Sequence, residues 1–451
     1  MKADSRLTCN TNDPAIVCSG SIPAVTRVIS NVACTRCGCV CDDLTVTVES
    51  NRIVEFTPDC SLAREWFNWL RDQPDVPAAL IDGQPVDIDA AIQHAAALLD
   101  RSSLPLIFGL SRSSTDGQRR ACELADKLGA VIDSTASRGH GPSILAFQAA
   151  GESTSTLGEV RHRADLVIYW NSDPLYSHPR HLERFVESPG QHFPNGRQGR
   201  HVVVVDNRET ATAAVADTFL QIPRGSDFEV LSLLRCLVKG IPIDPEQFAG
   251  LPEEEIKALA DRMRGCQFGA IFFGIRLAAA GNGHAAVEAL LRLGTELNDY
   301  TRFVVRRMRV PGDVTGADSV LCWQTGYPFS ISLSRGYPRY GPGEYSAENL
   351  LERGEADCVV LVGGERISRL SDAAQRQLQQ IPVILLDPAG LNWDVQPQVR
   401  FHTAVYGIHC RATAYRMDEV PVPLRKILDS SLPTDHEILA RLVTAVAPLM
   451  D

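Results

Sequence analysis

The sequence predicts an α/β protein with more than one parallel sheet, preceded by a small cysteine-rich β unit. Three observations carry this. Several strand-length runs are apolar throughout, as strands covered on both faces must be. Helical periodicity follows some of these runs, giving the strand-helix-strand rhythm of a parallel sheet. Five cysteines, Cys34, Cys37, Cys39, Cys41 and Cys60, crowd one short segment that alternates apolar and polar residues.

The elements follow in chain order. Residues 1–28 carry few positive charges, no apolar leader core and scattered Asp and Asn, the composition of a disordered tail. Leu44-Thr45-Val46-Thr47-Val48 alternates, Asn51 sits in a turn, and Ile53-Val54-Glu55-Phe56 resumes before Cys60, which predicts a β-hairpin between cysteines. Residues 104–109, 116–128 and 130–133 read as strand, helix and strand. Further buried strands are expected at 165–170, 201–206, 270–274, 358–362 and 383–386. A helix over 284–297 follows the Gly281-Asn282-Gly283 loop. Segments rich in Pro, Gly and Arg at 189–199 and 326–343 read as long loops, where ligands gather in α/β folds.

At 451 residues, 44% hydrophobic and 22% charged, the chain is long enough for two or three domains. A net charge of -11 and the lack of any Lys/Arg run argue against nucleic acid. No apolar stretch approaches a bilayer span, so no membrane partner is expected and a cytoplasmic location is the default. Thirteen cysteines without an export signal argue against a disulfide framework. Cys122, Cys236, Cys266, Cys322, Cys358 and Cys410 lie singly and read as small buried hydrophobes. Cys9 and Cys18 fall in the tail and carry no pattern.

Cys34-x2-Cys37-x3-Cys41 and then Cys60 supply four thiolates from one compact unit, the number a [4Fe-4S] cluster takes. Zinc also accepts four thiolates, but more often through paired C-x2-C knuckles. Unligated buried cysteines are the third reading. Cys39 is a spare.

Longer phrases carry a resemblance. They include Ser137-Arg138-Gly139-His140-Gly141-Pro142-Ser143, the run from Ala164-Asp165 through Trp170 to Pro174, and Ser177-His178-Pro179-Arg180-His181. Ser334-Arg335-Gly336-Tyr337-Pro338 through Glu344 and Ala414-Tyr415-Arg416-Met417-Asp418 belong with them. From about Cys34 to the C-terminus the chain resembles the B subunit of formylmethanofuran dehydrogenase, within the dimethyl sulfoxide reductase-like molybdopterin enzymes. That resemblance implies a cysteine-rich iron-sulfur unit at 29–75 and two interleaved Rossmann-like domains, one at 76–134 plus 311–451 and one at 135–310. It also implies the absence of the C-terminal barrel of larger relatives.

In that family a bis-pterin cofactor carries tungsten or molybdenum, and a cysteine just before His-Gly-Pro ligates the metal. Gly139 stands at that position, and glycine offers no donor atom. Ser137 is the nearest side chain with an oxygen. The resemblance places His140 and Arg335 beside the metal, for proton movement and for holding a carboxylate. It assigns pterin-nucleotide contacts to Asp206, Arg208, Thr210 and Asp227. The chain has no G-x-G-x-x-G after a strand and no phosphate-binding P-loop, which argues against a stand-alone nucleotide-binding protein.

Two functions follow from the resemblance. One is a redox component that interconverts carbon dioxide and formate on tungsten or molybdenum pterin. The other is a non-redox scaffold in a complex that moves a formyl group from formyl-tetrahydromethanopterin to methanofuran and releases formate by hydrolysis. Either assignment implies three kinds of partner: an amidohydrolase-like A subunit, a C subunit, and a D subunit of formyltransferase or barrel type. Gly139 favours the scaffold.

Overall fold

A computed structural model describes residues 26–447 except 249, 280, 311, 366 and 392. Most of the expected tail, with Cys9 and Cys18, lies outside the described residues. Its last three residues do not continue a tail. Thr26 opens the strand Thr26–Val32, whose backbone is paired antiparallel with Leu44–Glu49, and Arg52–Thr57 completes a three-stranded sheet. The second and third of these strands are the predicted hairpin. Val46, Val48 and Ile53 face inward, as the alternation requires.

Two larger sheets form the body. Five parallel strands stand in the order Thr218–Gln221, His201–Asp206, Leu166–Trp170, Phe268–Phe273, Arg302–Arg307. A nine-stranded sheet has a parallel centre of Val131–Ser134, Pro105–Gly109, Cys358–Val362, Val383–Asp387 and Val399–His402. It takes strands from before and after the whole five-stranded sheet. The strands at both centres are buried along their length, which is why they read as unbroken apolar runs.

The region 326–343, expected as one loop, contributes two edge strands, Ile331–Ser332 and Arg339–Tyr340, the first running antiparallel to Val131–Ser134. Two-residue strands carry no periodicity to read. The opposite edge is closed by the antiparallel hairpin Ala79–Ile81 and Gln84–Pro85. The helix Gly283–Leu297 starts one residue before the expected boundary and buries Ala286, Val287, Leu290 and Leu297 against the five-stranded sheet.

In each parallel sheet the order reverses once. In the smaller sheet the chain leaves Leu166–Trp170 for one side and Phe268–Phe273 for the other. In the larger sheet the reversal falls between Pro105–Gly109 and Cys358–Val362. Loops at such a switch point diverge and leave a crevice beyond the carboxyl ends of the strands.

Candidate functional site

The cysteine loop folds on itself through two backbone hydrogen bonds: Cys34 N–H donates to the Cys41 carbonyl across 2.8 Å, and Val40 N–H to that of Cys37 across 3.2 Å. Gly38 lets this loop press on the body. A Cβ there would sit 2.2 Å from the Arg309 carbonyl oxygen, and Met417 N–H donates to the Gly38 carbonyl across 2.8 Å. Cys34, Cys37, Cys39 and Cys41 are buried, while Cys60, half-buried, leads the helix Ser61–Arg71.

These thiols sense one another. Burial and then the neighbouring Cys37, with smaller effects of Cys41 and Cys60, push the Cys34 thiol up. Cys39 shares its hydrogen with both Cys37 and Cys41 and is 1% exposed, so the spare cysteine sits inside the set. The Cys41 thiol is brought down to about 7, first by the Cys39 hydrogen bond and then by the charges of Arg184 and Arg180. Among the described residues no group of three or more His, Cys, Asp or Glu side chains is gathered to hold a metal ion. In donor chemistry the four thiols fit an iron-sulfur cluster, whose corners hold sulfur ligands farther apart than one ion does.

The Ser177-to-His181 phrase braces this loop from behind. Burial keeps His178 neutral, its pKa lowered to about 4. The neutral ring donates from Nε2 to the Arg309 carbonyl across 2.9 Å and accepts the Ser177 hydroxyl at Nδ1. Arg180, 4% exposed, grips both oxygens of Asp43 at 2.8 and 2.7 Å and both of Glu183 at 3.0 and 2.7 Å. Arg184 donates to Asp42 across 2.6 Å.

Gly139 ends the short helix Ala136–Gly139, and His140, buried, leads the helix Gly141–Ala150. An added Cβ at Gly139 would meet Ile275 Cδ1 at 3.0 Å and nothing else within 4 Å. Neither crowding nor a left-handed backbone demands glycine here. Ser137, the alternative oxygen, is committed elsewhere. Its hydroxyl donates to Asp133 Oδ2 across 2.7 Å, and the same carboxylate accepts the backbone N–H groups of Ser330 and Ala347 at 2.9 and 2.7 Å. Burial pushes Asp133 up to about 6. Gly139 thus carries no donor atom, and the Ser137 hydroxyl beside it is already engaged with Asp133.

Ile275 directly precedes Arg276, which brings Gly139 close to the switch point of the smaller sheet. A cavity of about 830 Å³ opens there, lined by Asn207, Arg208, Arg224, Asp227 and Arg276 among others. Asp206 ends its strand fully buried. Rather than offering a free carboxylate, it holds Arg276, which reaches both its oxygens, one at 3.0 Å. Arg276, and not Asp206, lines the cavity. Asp227 accepts Trp170 Nε1–H and Asn171 Nδ2–H at 2.8 and 2.7 Å, and burial pushes its carboxyl up. Thr210 does not line the cavity; its hydroxyl accepts Ala213 N–H and caps a helical turn. Three arginines beside strand ends suit a phosphate-bearing group.

The second switch point has no motif that sequence reading singles out. Its loops carry Arg112 and Glu365, an ion pair at 2.7 Å, and Asp387, which accepts Trp393 Nε1–H at 2.5 Å and Gly364 N–H at 3.0 Å. Burial, then the charge of Glu365, pushes Asp387 up to about 7. The expected strand 383–386 stops one residue short of it. Arg335 lies exposed on the turn closed by Gly336 N–H donating to the Leu333 carbonyl across 2.9 Å. A carboxylate held by Arg335 would therefore meet bulk water.

No helix among the described residues is long and apolar enough to cross a membrane. No family model matches the chain. The B subunit of tungsten-containing formylmethanofuran dehydrogenase 2 from Methanocaldococcus jannaschii is 37% identical over 433 residues, 94% of this chain and 100% of that one. The B subunit of the formyltransferase/hydrolase complex from Methylorubrum extorquens is 27% identical over 288 residues, 63% of this chain and 74% of that one. The crystal structure of the formyltransferase/hydrolase complex from that organism superposes with a TM-score of 0.68 at 22% identity, covering 81% of this chain and 98% of that one. Acetylene hydratase from Pelobacter acetylenicus gives the same TM-score of 0.68 at 12% identity, with 92% of this chain and 69% of that one covered. The fold is thus shared with both structures, and the near-full-length identity settles the lineage: the chain belongs to the family of formylmethanofuran dehydrogenase B subunits, whose members are components of C1-metabolism complexes.

Proposed function

We propose that this chain is a non-redox scaffold in a cytoplasmic formyltransferase/hydrolase complex that converts formyl-tetrahydromethanopterin, via formylmethanofuran, to formate. One observation carries the reading. Gly139, where the family resemblance expects the metal ligand, carries no donor, and the neighbouring oxygen of Ser137 is bound to Asp133. Formyl transfer and hydrolysis move no electrons, so a complex running them tolerates that loss while keeping the fold as a platform for the A, C and D subunits.

In this reading Cys34, Cys37, Cys41 and Cys60 hold a [4Fe-4S] cluster that ties the N-terminal sheet to the body, since ligated groups contribute folding energy to small units. Metal analysis of the complex purified without oxygen tests the assignment. Iron without tungsten or molybdenum is expected, and stoichiometric tungsten or molybdenum would refute the scaffold role. For the cluster, broad visible absorbance that disappears in Cys37→Ser is expected; a colourless, zinc-containing wild type would reject it.

The second reading is a redox component holding tungsten or molybdenum pterin with an unusual ligand. It is favoured by the 37% identity to the tungsten-containing relative over 94% of the chain. The arginine-lined cavity adds to it, as a place for the nucleotide arm of such a cofactor. The same metal analysis decides between the two.

A further inference from the structure

The arginines behind the cysteine loop are arranged unlike ordinary surface ion pairs. Arg180 is buried, and Arg184 nearly so, while their partners Asp42, Asp43 and Glu183 are about half-exposed. The acids therefore face water, where their charge is screened, and the guanidiniums lie inside, beneath them. Asp42 and Asp43 directly follow Cys41, so gripping them fixes the cysteine itself. The grip is forked at Asp43, a geometry that arginine supplies and lysine does not.

Arg184 adds a second observation. Its Nη2 is bound to Asp42, yet Nη1 is buried and has no hydrogen-bond partner among the described residues. A buried donor left without an acceptor costs stability unless something fills the role. Asp42, which Arg184 holds, directly follows Cys41, so this free donor lies at the Cys41 corner of the loop.

We propose that Arg180 and Arg184 are positioning residues for the Cys41 corner of the four-thiol site. Arg180 fixes the backbone of that corner through Asp43, and Arg184 Nη1 donates to a sulfur of the bound iron-sulfur group. The inference rests on the cluster reading given above. Hydrogen bonds and positive charge near cluster sulfur favour the reduced form, so the pair raises the reduction potential.

The test uses the full chain purified without oxygen, with iron content, the spectrum of the reduced form, midpoint potential and the rate of iron loss to a chelator as readouts. Arg184→Gln is expected to keep its iron and shift the potential to more negative values, and Arg184→Lys to recover part of the shift. Asp43→Asn keeps both cations but breaks one fork. It is expected to lose iron roughly tenfold faster, the scale seen when a ligand's supporting partner is removed, with little change in potential. A merely structural role would move the melting temperature and leave the potential where it was.

Equal potentials in wild type and Arg184→Gln, or an unchanged iron-loss rate in Asp43→Asn, would overturn the corresponding half of the proposal. If Arg184→Gln does not fold, Arg184→Lys carries the same test, because it removes the planar donor while keeping the charge. A wild type that binds no iron would instead refute the cluster reading itself, and the clamp with it.

Discussion

Ser137 lies four residues after Asp133 and donates its hydroxyl to Asp133 Oδ2 across 2.7 Å, within a carboxylate site that also collects the N–H groups of Ser330 and Ala347. The carboxylate thus links the end of the Val131–Ser134 strand to the region 330–347, and one of its donors is the Ser137 hydroxyl. Moving it toward a cofactor would strip one donor from a buried carboxyl group. The oxygen nearest Gly139 is structural.

Gly139 itself is replaceable. Because an added Cβ meets only the far end of the Ile275 side chain, Gly139→Cys is expected to fold and to melt close to wild type, with a cost below about 1.5 kcal/mol. Thermal denaturation checks this. A loss of several degrees would mean that the site needs glycine for a reason beyond the missing thiol.

Gly38 should behave oppositely. A methyl group there overlaps the Arg309 carbonyl, backbone that cannot swing aside, and also crowds Met417 Cβ at 3.1 Å. Gly38→Ala is expected to cost about 1–3 kcal/mol and to loosen the cysteine loop from the body. Faster amide exchange over residues 34–41 would register the loosening, and unchanged protection would count against it.

Asp387 gives a pH dependence with a definite sign. Its folded-state pKa of about 7 lies above the ordinary 3.8, so between those values the folded chain retains a proton that the unfolded chain releases. The stability it contributes is full below the lower value and lost as pH rises through the higher one. Asp387→Asn keeps an acceptor for Trp393 and Gly364 without a charge to bury. The variant should gain on wild type as pH rises, by on the order of 1–3 kcal/mol near pH 8. Parallel melting curves for the two proteins at about pH 5 and about pH 8 would show that Asp387 does not titrate in this window.

Arg276 and Asp206 should be strongly coupled. Arg276→Ala leaves a fully buried carboxylate with little beyond the Asn207 N–H, at an expected cost of about 2–3 kcal/mol, reduced from the fully buried case because Arg276 is a third exposed. Adding Asp206→Asn to Arg276→Ala should recover most of that loss. Additive effects in a double-mutant cycle would contradict the coupling.

The parallel strands were legible because burial on both faces leaves unbroken apolar runs, as at Val202 to Val205 and Val359 to Val362. The hairpin before Cys60 was legible for the opposite reason, its clean alternation. Partnerships were not. Nothing local in Asp206 says that its charge is spent on Arg276, seventy positions later. Nothing local marks Arg180 either, since its grip on Asp43 depends on a contact across 137 positions. Arg112, Glu365 and Asp387 carry no sequence signal because a switch point is a property of strand order, which short-range patterns do not encode. Thr26 reads as tail in the sequence because its strand is mostly exposed and so lacks an apolar signature.

The cysteine hairpin is seated on the far end of the chain. Met417 donates to Gly38, Arg27 reaches the Ile427 carbonyl at 3.1 Å, and Asn51 exchanges hydrogen bonds with Asp429 at 3.0 and 2.7 Å. Asn51 and Asp429 are 378 residues apart. During synthesis the hairpin therefore emerges and waits for its seat, on the order of tens of seconds at ordinary elongation rates. Its thiols spend that interval without the wall that later encloses them. The enclosure of this site is consequently completed only once residues 417–429 have been made.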